Sequence, residues 1–496
     1  MEHCSEISKF TLMTELPWYK YKFYLCLLVG TFITLMVPSN HKIVYLVLFN
    51  VIAIISDLVI DYLASEYIDK NKLTELINRC QVENNVKKEH FLSIKFVKLN
   101  KIIKWKFNDL EIYHLSKRFF KIVGVKVSSN YYKNSWDQPI IVQDEIGILG
   151  IIKNPDNKKY LLQAKVEPGN INKLQLAPTV QATKSNYSSV HGGNKVSYIE
   201  LFLKLKNINK YKQSEQGFRY LNKFNNNILI NSKKKIKCKK DFYWFSKNEI
   251  KKLLYKKNII NMDTLSVFSS VLKKKKKDVP FNNNKFFYDW LKDLDKKFFI
   301  KVKLVKLIKL KDWVVSKNKI FHKNNKHFSV IGIDVTTNKR EVNNWSQPII
   351  KGKDMAFAGF IKSKINGTDH YLCRYILKPG LKKSVIGCTI NTSDISDYNK
   401  DQTINKIESK YYKNYFINKK NKTNIIFNNT LSDEGGRFYQ CQVRCMITYV
   451  NFKRIGTIPS NYIWLSYNQI VEMIKNKRVD IESRLLFACG NIDHIS

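Results

Sequence analysis

Negative charge is scarce in this 496-residue chain: 41 Asp and Glu stand against 86 Lys and Arg, a formal net charge of +45. A chain this basic attracts anions and binds polyanions weakly and without specificity. Lys greatly outnumbers Arg, Asn and Ile are also abundant, and the lysines concentrate in runs such as 233–240 and 273–277. That pattern reads as a compositional bias acting on solvated loops, so no specific nucleic-acid partner is expected. Paired cysteines are lacking too. The nine present are scattered and odd in number, which argues against a disulfide framework and for a reducing compartment. Cys441 and Cys445 form the only close pair, with no His at ligand spacing, so no metal site is expected. The chain has no GxxxxGK[ST] loop, no GxGxxG after a strand and no HExxH. ATPase, dinucleotide and zincin readings therefore lack their usual support.

Uncommitted polar chemistry is concentrated in 161–193, LLQAKVEPGNINKLQLAPTVQATKSNYSSVHGG. Lys165 and Glu167, two apart, share one face of a strand ending at Pro168-Gly169, because strand side chains alternate. Thr179, Gln181, Thr183, Lys184, Ser185, Asn186, Tyr187 and His191 follow, closed by Gly192-Gly193. Buried as a strand, such a run would need a partner for every polar group, so it is expected to line a cleft for a polar ligand.

The N-terminal segment differs in kind. Residues 21–37 and 43–60 are almost wholly apolar, separated by Pro38-Ser39-Asn40-His41-Lys42, which suits a helical hairpin. Each run is near the lower limit for crossing a bilayer, and Asp57 lies inside the second. Lys20, Lys22, Lys70 and Lys72 would hold both ends on the cytoplasmic side. The expectation is a cytoplasmic protein whose hairpin, 21–60, either tethers it to the cytoplasmic face of a membrane or packs as a buried helical pair.

From about residue 90 the chain is one unit written twice. Trp136-Asp137-Gln138-Pro139-Ile140-Ile141 returns as Trp345-Ser346-Gln347-Pro348-Ile349-Ile350, each after an alternating strand pattern. Glu167-Pro168-Gly169 returns as Lys378-Pro379-Gly380, and Ser214-Glu215-Gln216-Gly217 as Ser432-Asp433-Glu434-Gly435. Trp244-Phe245-Ser246 returns as Trp464-Leu465-Ser466, each opening an amphipathic helix. Order is kept while the offset grows from 209 to 220 residues, which marks a tandem duplication. Strands predominate early in each copy and helices late, so each is an α+β module. The expected divisions are an N-terminal segment 1–85, a first module 90–271 and a second 287–496, with the Lys-rich 272–285 as linker.

The WxQPII strands, the QAKxEPGN turn, the QLxPTVQATxSNYxxVHGG run, the SEQG and SDEGGRFY segments and the late Trp-led helix together resemble the nucleotide-hexose 2,3-dehydratases of deoxysugar biosynthesis. The resemblance covers roughly 90–492. It implies two tandem Nudix-like modules, a homodimer, and removal of the C2 hydroxyl from a dTDP-linked 4-keto-6-deoxyhexose. The glutamate-rich hydrolytic Nudix box is absent, so metal-dependent pyrophosphate cleavage is not expected. Lys378 departs from the family's Glu, Gly387-Cys388-Thr389-Ile390-Asn391 replaces the PTVQ run in the second copy, and Leu265 stands where the family has Arg. One working active site, built by the first copy, is the resulting expectation.

Such a reaction needs a base for the C3 hydrogen, which the C4 ketone acidifies, an acid for the departing C2 hydroxyl, and a donor or cation at the enolate oxygen. It consumes no cofactor. His191, which titrates near neutrality, is the first candidate base. Tyr187 can donate to the leaving hydroxyl or the C4 oxygen, Lys165 suits the enolate, and Glu167 can orient Lys165 or act as base instead. Nucleotide and sugar binding fall to Trp136, Gln138, Gln163, Thr179, Gln181, Lys184, Ser185, Asn186 and Arg219 of the first copy, with Arg437 of the second. A second reading, a nucleotide-sugar-binding protein without catalysis in a membrane-associated glycan pathway, draws on the altered second copy and the hairpin.

Overall fold

A computed structural model describes residues 92–132, 134–190, 192–204, 209–233, 236–392, 412–417 and 424–496. The hairpin at 21–60 lies outside them. Among the described residues no helix is long and apolar enough to cross a membrane.

The architecture is α+β, with four sheets among the described residues, and the strand order of the first pair returns in the second. In the first copy one sheet runs Tyr220–Leu221, Asn134–Val142, Lys121–Ser129, Glu111–His114, Trp105–Phe107; the second copy repeats it as Phe438–Tyr439, Asn344–Gly352, Phe328–Thr337, Ile320–His322, Trp313–Val315. The other sheet of the first copy runs Lys210–Ser214, Phe224–Asn231, Gly147–Asn154, Lys159–Val166, Phe242–Phe245. Its counterpart runs Asn424–Ser432, Gln442–Tyr449, Ala356–Ile365, Thr368–Ile376, Tyr462–Ser466. Gly147–Asn154 pairs in parallel with Phe224–Asn231 on one side and antiparallel with its hairpin partner on the other. That inner position explains why its GILGII stretch is apolar without alternation.

The copies exchange their first strands. Leu92–Val97 joins the second copy along Phe328–Thr337, and Ile300–Val305 joins the first along Lys121–Ser129, both antiparallel. Gly332 and Gly124 admit the visitors, since a β-carbon at either would stand 2.7 or 2.9 Å from the carbonyl of Val97 or Val305. The exchange pools the hydrophobic cores: Leu99, Ile102, Ile112 and Tyr220 pack in one buried cluster with Leu307, Trp313, Phe328 and Phe438.

The Pro-Gly turns form a second reciprocal clasp. Gly169 N donates to Gly435 O at 2.7 Å and Gln440 N to Gly169 O at 2.8 Å; symmetrically, Gly380 N donates to Gly217 O at 2.7 Å and Asn222 N to Gly380 O at 2.8 Å. Helix Met262–Ser270, buried throughout, packs against Ile481–Gly490 of the other copy. The helices after the late tryptophans start as the sequence predicts, with capping boxes at Ser246/Glu249 and Ser466/Gln469.

The polar run expected to line a cleft follows the fully buried strand Leu174–Pro178 and passes through the short strand Val180–Ala182, and within it Thr179 and Ser185 are buried rather than open to a ligand. Thr179 Oγ1 accepts from Ile152 N at 3.0 Å and donates to Leu161 O, and Gln175 Nε2 donates to Ser432 Oγ.

A β-carbon on Gly169 would lie 1.7 Å from Phe438 O, and one on Gly380 1.7 Å from Tyr220 O. Gly169→Ala and Gly380→Ala are therefore each expected to cost about 3 kcal/mol or more, measured as a fall in the urea midpoint; a loss under about 1 kcal/mol would show that the clasp does not hold the copies together.

Candidate active site

The Lys159–Val166 strand carries Lys165 and Glu167 to the seam between the copies, where Glu167 becomes the hub of a buried network. Its Oε1 accepts from Lys165 Nζ at 3.2 Å, Gln181 Nε2 at 3.2 Å and Arg340 Nη1 at 3.4 Å. Its Oε2 accepts from Asn261 Nδ2 at 3.4 Å. Burial alone would raise its pKa, but attraction to Lys165 and then to Arg340 overrides this and holds the carboxylate below its ordinary value.

Around this hub lies a narrow cleft of about 90 Å³, bordered by Lys165, Glu167, Gln181 and Asn186, by Glu215, Lys223 and Asp263, and by Arg340, Glu434 and Arg437 of the second copy. Asn186, Arg340, Gly436 and Arg437 also border a wider pocket of about 590 Å³ lined by Trp105, His114, Phe119, Phe120 and Trp345. A small polar cleft thus meets an aromatic pocket across two guanidinium groups. Arg437 is fixed over the Phe120 ring, 4.2 Å to its centroid.

The cleft is rich in perturbed carboxyls. Burial, then the Glu167 charge, pushes Glu434 up to about 7, and burial with repulsion from Glu215 raises Asp263 well above the usual range. Burial also raises Glu215 and lowers Lys223 to about 8.

Of the residues singled out in the sequence, Lys165, Glu167, Gln181, Asn186 and Arg437 meet here. The others are placed elsewhere. Thr179 is a buried strut, and Ser185 donates from N and Oγ to the Glu145 carboxylate at 2.8 and 2.7 Å. Lys184 is exposed, Tyr187 packs on the Ile148/Phe202 core, and Gln163 lies mid-strand opposite Phe242. Arg219 stacks on Phe328 at 4.1 Å. His191 lies outside the described residues. Trp136 donates to Gln138, which donates to Phe218 O at 2.7 Å, and neither Trp136 nor Gln138 borders the cleft or the wide pocket. Their counterparts Trp345 and Gln347 line the wide pocket instead. Arg340, Glu434, Asp263 and Glu215 were not anticipated as site residues, and Arg340 is delivered by a hairpin tip of the other copy.

The pseudo-equivalent site is filled. At the hairpin tip corresponding to Lys339-Arg340 stand Tyr131 and Tyr132, whose hydroxyls donate to Tyr375 O at 2.7 Å and Leu377 O at 2.5 Å. Tyr132 packs edge-on against Trp136 and Phe218, at 5.6 and 6.2 Å. Phe218 occupies the repeat position of Gly436, and Lys378, at the position of Glu167, is spent on Asp480 and Glu482 at 2.9 and 2.7 Å.

Such a bipartite cavity suits a small polar, proton-exchanging ligand carrying an anionic link to an aromatic group. The family model described as NDP-hexose 2,3-dehydratase matches residues 80–271 and 284–489, and the chain belongs to that family. Two relatives named dTDP-4-dehydro-6-deoxy-alpha-D-glucopyranose 2,3-dehydratase are each 30% identical: one from Saccharopolyspora spinosa, with 79% of this chain and 86% of the relative covered, and one from Streptomyces violaceoruber, with 76% and 88%. A third of the same name, from Amycolatopsis orientalis, is 28% identical with 81% and 86% covered.

Glu167→Gln would leave Lys165 buried without its carboxylate, while Arg340 keeps Glu341 at 3.3 Å, at a cost of about 3–5 kcal/mol. Because the folded pKa of Glu167 is depressed, its contribution is present above pH 4.5 and is lost as pH falls through the folded value. The stability difference between wild type and variant, from chemical denaturation, should therefore be constant near neutrality and shrink in acid; a pH-independent difference would contradict the ion-pair account.

Proposed function

We propose that the chain eliminates water across C2–C3 of dTDP-4-keto-6-deoxyglucose, giving the 3,4-diketo-2,6-dideoxy sugar nucleotide, with one active site per chain. The observation that carries this reading is the junction of the narrow cleft with the aromatic pocket at Arg340 and Arg437. The sugar fits the cleft, the pyrophosphate the two guanidinium groups, and the base the pocket beside Trp345 and Trp105. Lys165, held by Glu167, stands for the cation at the enolate oxygen. His191 remains the candidate base, as a side chain whose ordinary pKa lies near neutrality. Glu167, accepting from four donors, serves as the orienting group rather than the base.

The repeated strand order favours two tandem Nudix-like modules, 90–271 and 287–496, after an N-terminal segment 1–85. The family resemblance supports a homodimer, and the apolar runs at 21–37 and 43–60 support membrane tethering on the cytoplasmic side. Sedimentation and detergent-free fractionation of the full chain test both; a wholly soluble monomer would remove both.

Incubation with dTDP-4-keto-6-deoxyglucose in deuterated water is expected to release water and place deuterium at C2, followed by NMR and mass spectrometry. Lys165→Ala should lower kcat by about 10²–10³-fold and leave nucleotide affinity within a few-fold. A sugar that binds unchanged, without exchange at C3, would favour the non-catalytic binder. Calorimetry with dTDP should give one site per chain, because Tyr131, Tyr132 and Phe218 fill the equivalent space; two sites would show that the plug opens.

A further inference from the structure

Tyr187 does not border the cleft, which raises the question of what protonates the departing hydroxyl. The residue that meets the requirement lies on a helix from the first copy. We propose that Asp263 is the general acid that hands its proton to the C2 hydroxyl as it leaves, an assignment that rests on the dehydratase reading above.

Asp263 is the second residue of helix Met262–Ser270, where an aspartate would ordinarily be spent on capping. Here Asn261 already caps, its Oδ1 accepting from Asp263 N at 2.6 Å and Thr264 N at 3.3 Å. The Asp263 carboxyl is thus spare. It is 3% exposed, borders the narrow cleft, and receives no hydrogen bond from any side chain or backbone group among the described residues. Asn261 Nδ2 also reaches Glu167 at 3.4 Å, which ties the start of this helix to the network holding Lys165.

The second copy shows the alternative use of the same position. Asn261-Met262-Asp263-Thr264 recurs as Asp480-Ile481-Glu482-Ser483. There Glu482 takes an ion pair from Lys378 at 2.7 Å. In the first copy the residue at the place of Lys378 is Glu167, so Asp263 loses a cation and gains a neighbouring negative charge. The groups facing it are Glu215, Glu434 and Glu167, each of which disfavours its ionisation, and Lys165 with Arg484 of the packed helix Ile481–Gly490, which favour it. Burial and the three carboxylates outweigh the cations and raise the Asp263 pKa well above the ordinary carboxyl range, the direction a proton donor needs.

Proton accounting closes. The base takes the hydrogen from C3 and its electron pair becomes the enolate on the C4 oxygen. As the enolate collapses, the C2–O bond breaks and the oxygen leaves with the Asp263 proton as water, which generates the C2=C3 enol. The Asp263 carboxylate then takes the proton from the C3 hydroxyl while the protonated base delivers its proton to C2. Acid and base end as they began.

The test exploits leaving groups. Fluoride departs without protonation, so the 2-deoxy-2-fluoro analogue of the same sugar nucleotide does not need the acid. Asp263→Asn is expected to slow water loss from the natural substrate by about 10²–10³-fold while releasing fluoride from the analogue within about tenfold of the wild-type rate. Asp263→Glu should recover part of the lost rate on the natural substrate. Equal losses on both substrates would assign Asp263 to folding or to C3 deprotonation, and an undiminished rate on the natural substrate would remove it from the chemistry; either overturns the proposal. Wild-type protein inert toward both substrates would instead point to failure of the dehydratase reading itself, and the acid assignment would fall with it.

Discussion

One buried carboxylate governs the seam on which the site is built. Taking Glu167 out of water costs several kcal/mol unless its oxygens are well supplied with donors. The supply comes from four separate places: its own strand through Lys165, the next strand through Gln181, the start of a helix through Asn261, and the other copy through Arg340. No single element can satisfy it. The fold that lets Glu167 stay ionised is therefore also the fold that brings these elements to one point, and the reactive cleft is the space left between them.

The duplication makes that constraint visible by showing the same scaffold solved with the charges reversed. Where the first copy has Glu167 and calls for cations, the second has Lys378 and calls for the anions Asp480 and Glu482. Where the first site admits a guanidinium and leaves room beside Gly436, the second receives Tyr131, Tyr132 and Phe218. A few substitutions at equivalent positions thus place half-buried aromatic side chains where the first site has its guanidinium and its Gly436. The exchanged first strands and shared core bind the two outcomes into one folding unit, so the filled site supports the open one.

Much of this was legible in the sequence and some was not, for physical reasons. The repeat, the α+β character and the capped helices at Ser246 and Ser466 leave local signatures of period and spacing. Lys165, Gln181, Asn186 and Arg437 stood out because polar groups beside apolar strands call for partners. The strand exchange left no such mark: Leu92–Val97 and Ile300–Val305 share one pattern of half-buried and exposed positions, and alternation is identical whichever sheet a strand joins. Arg340 was hidden because it lies some 170 residues from Glu167 at the tip of a hairpin, where a Lys-Arg-Glu run reads as solvated surface. Asp263 was hidden behind helix-capping chemistry that Asn261 had already satisfied. Thr179 misled in the opposite direction, because the partners of its buried hydroxyl came from strands that the local sequence does not reveal.

The raised carboxyls around the cleft carry an energetic consequence. A carboxyl whose pKa is raised on folding contributes most fully below its unfolded value, and the fold loses stability as pH rises from there to the folded value. For Glu434 that interval runs from 4.5 to about 7, and for Asp433 from 3.8 to about 6. Near neutrality the raised carboxyls Glu434 and Asp433 therefore cost stability, while the depressed Glu167 contributes it, at one seam between the copies. The exchanged strands, the double Pro-Gly clasp and the common core lie around that same seam. A seam that carries raised and depressed carboxyls together is held by interactions that do not titrate, and backbone hydrogen bonds and apolar packing between two copies of one module supply them.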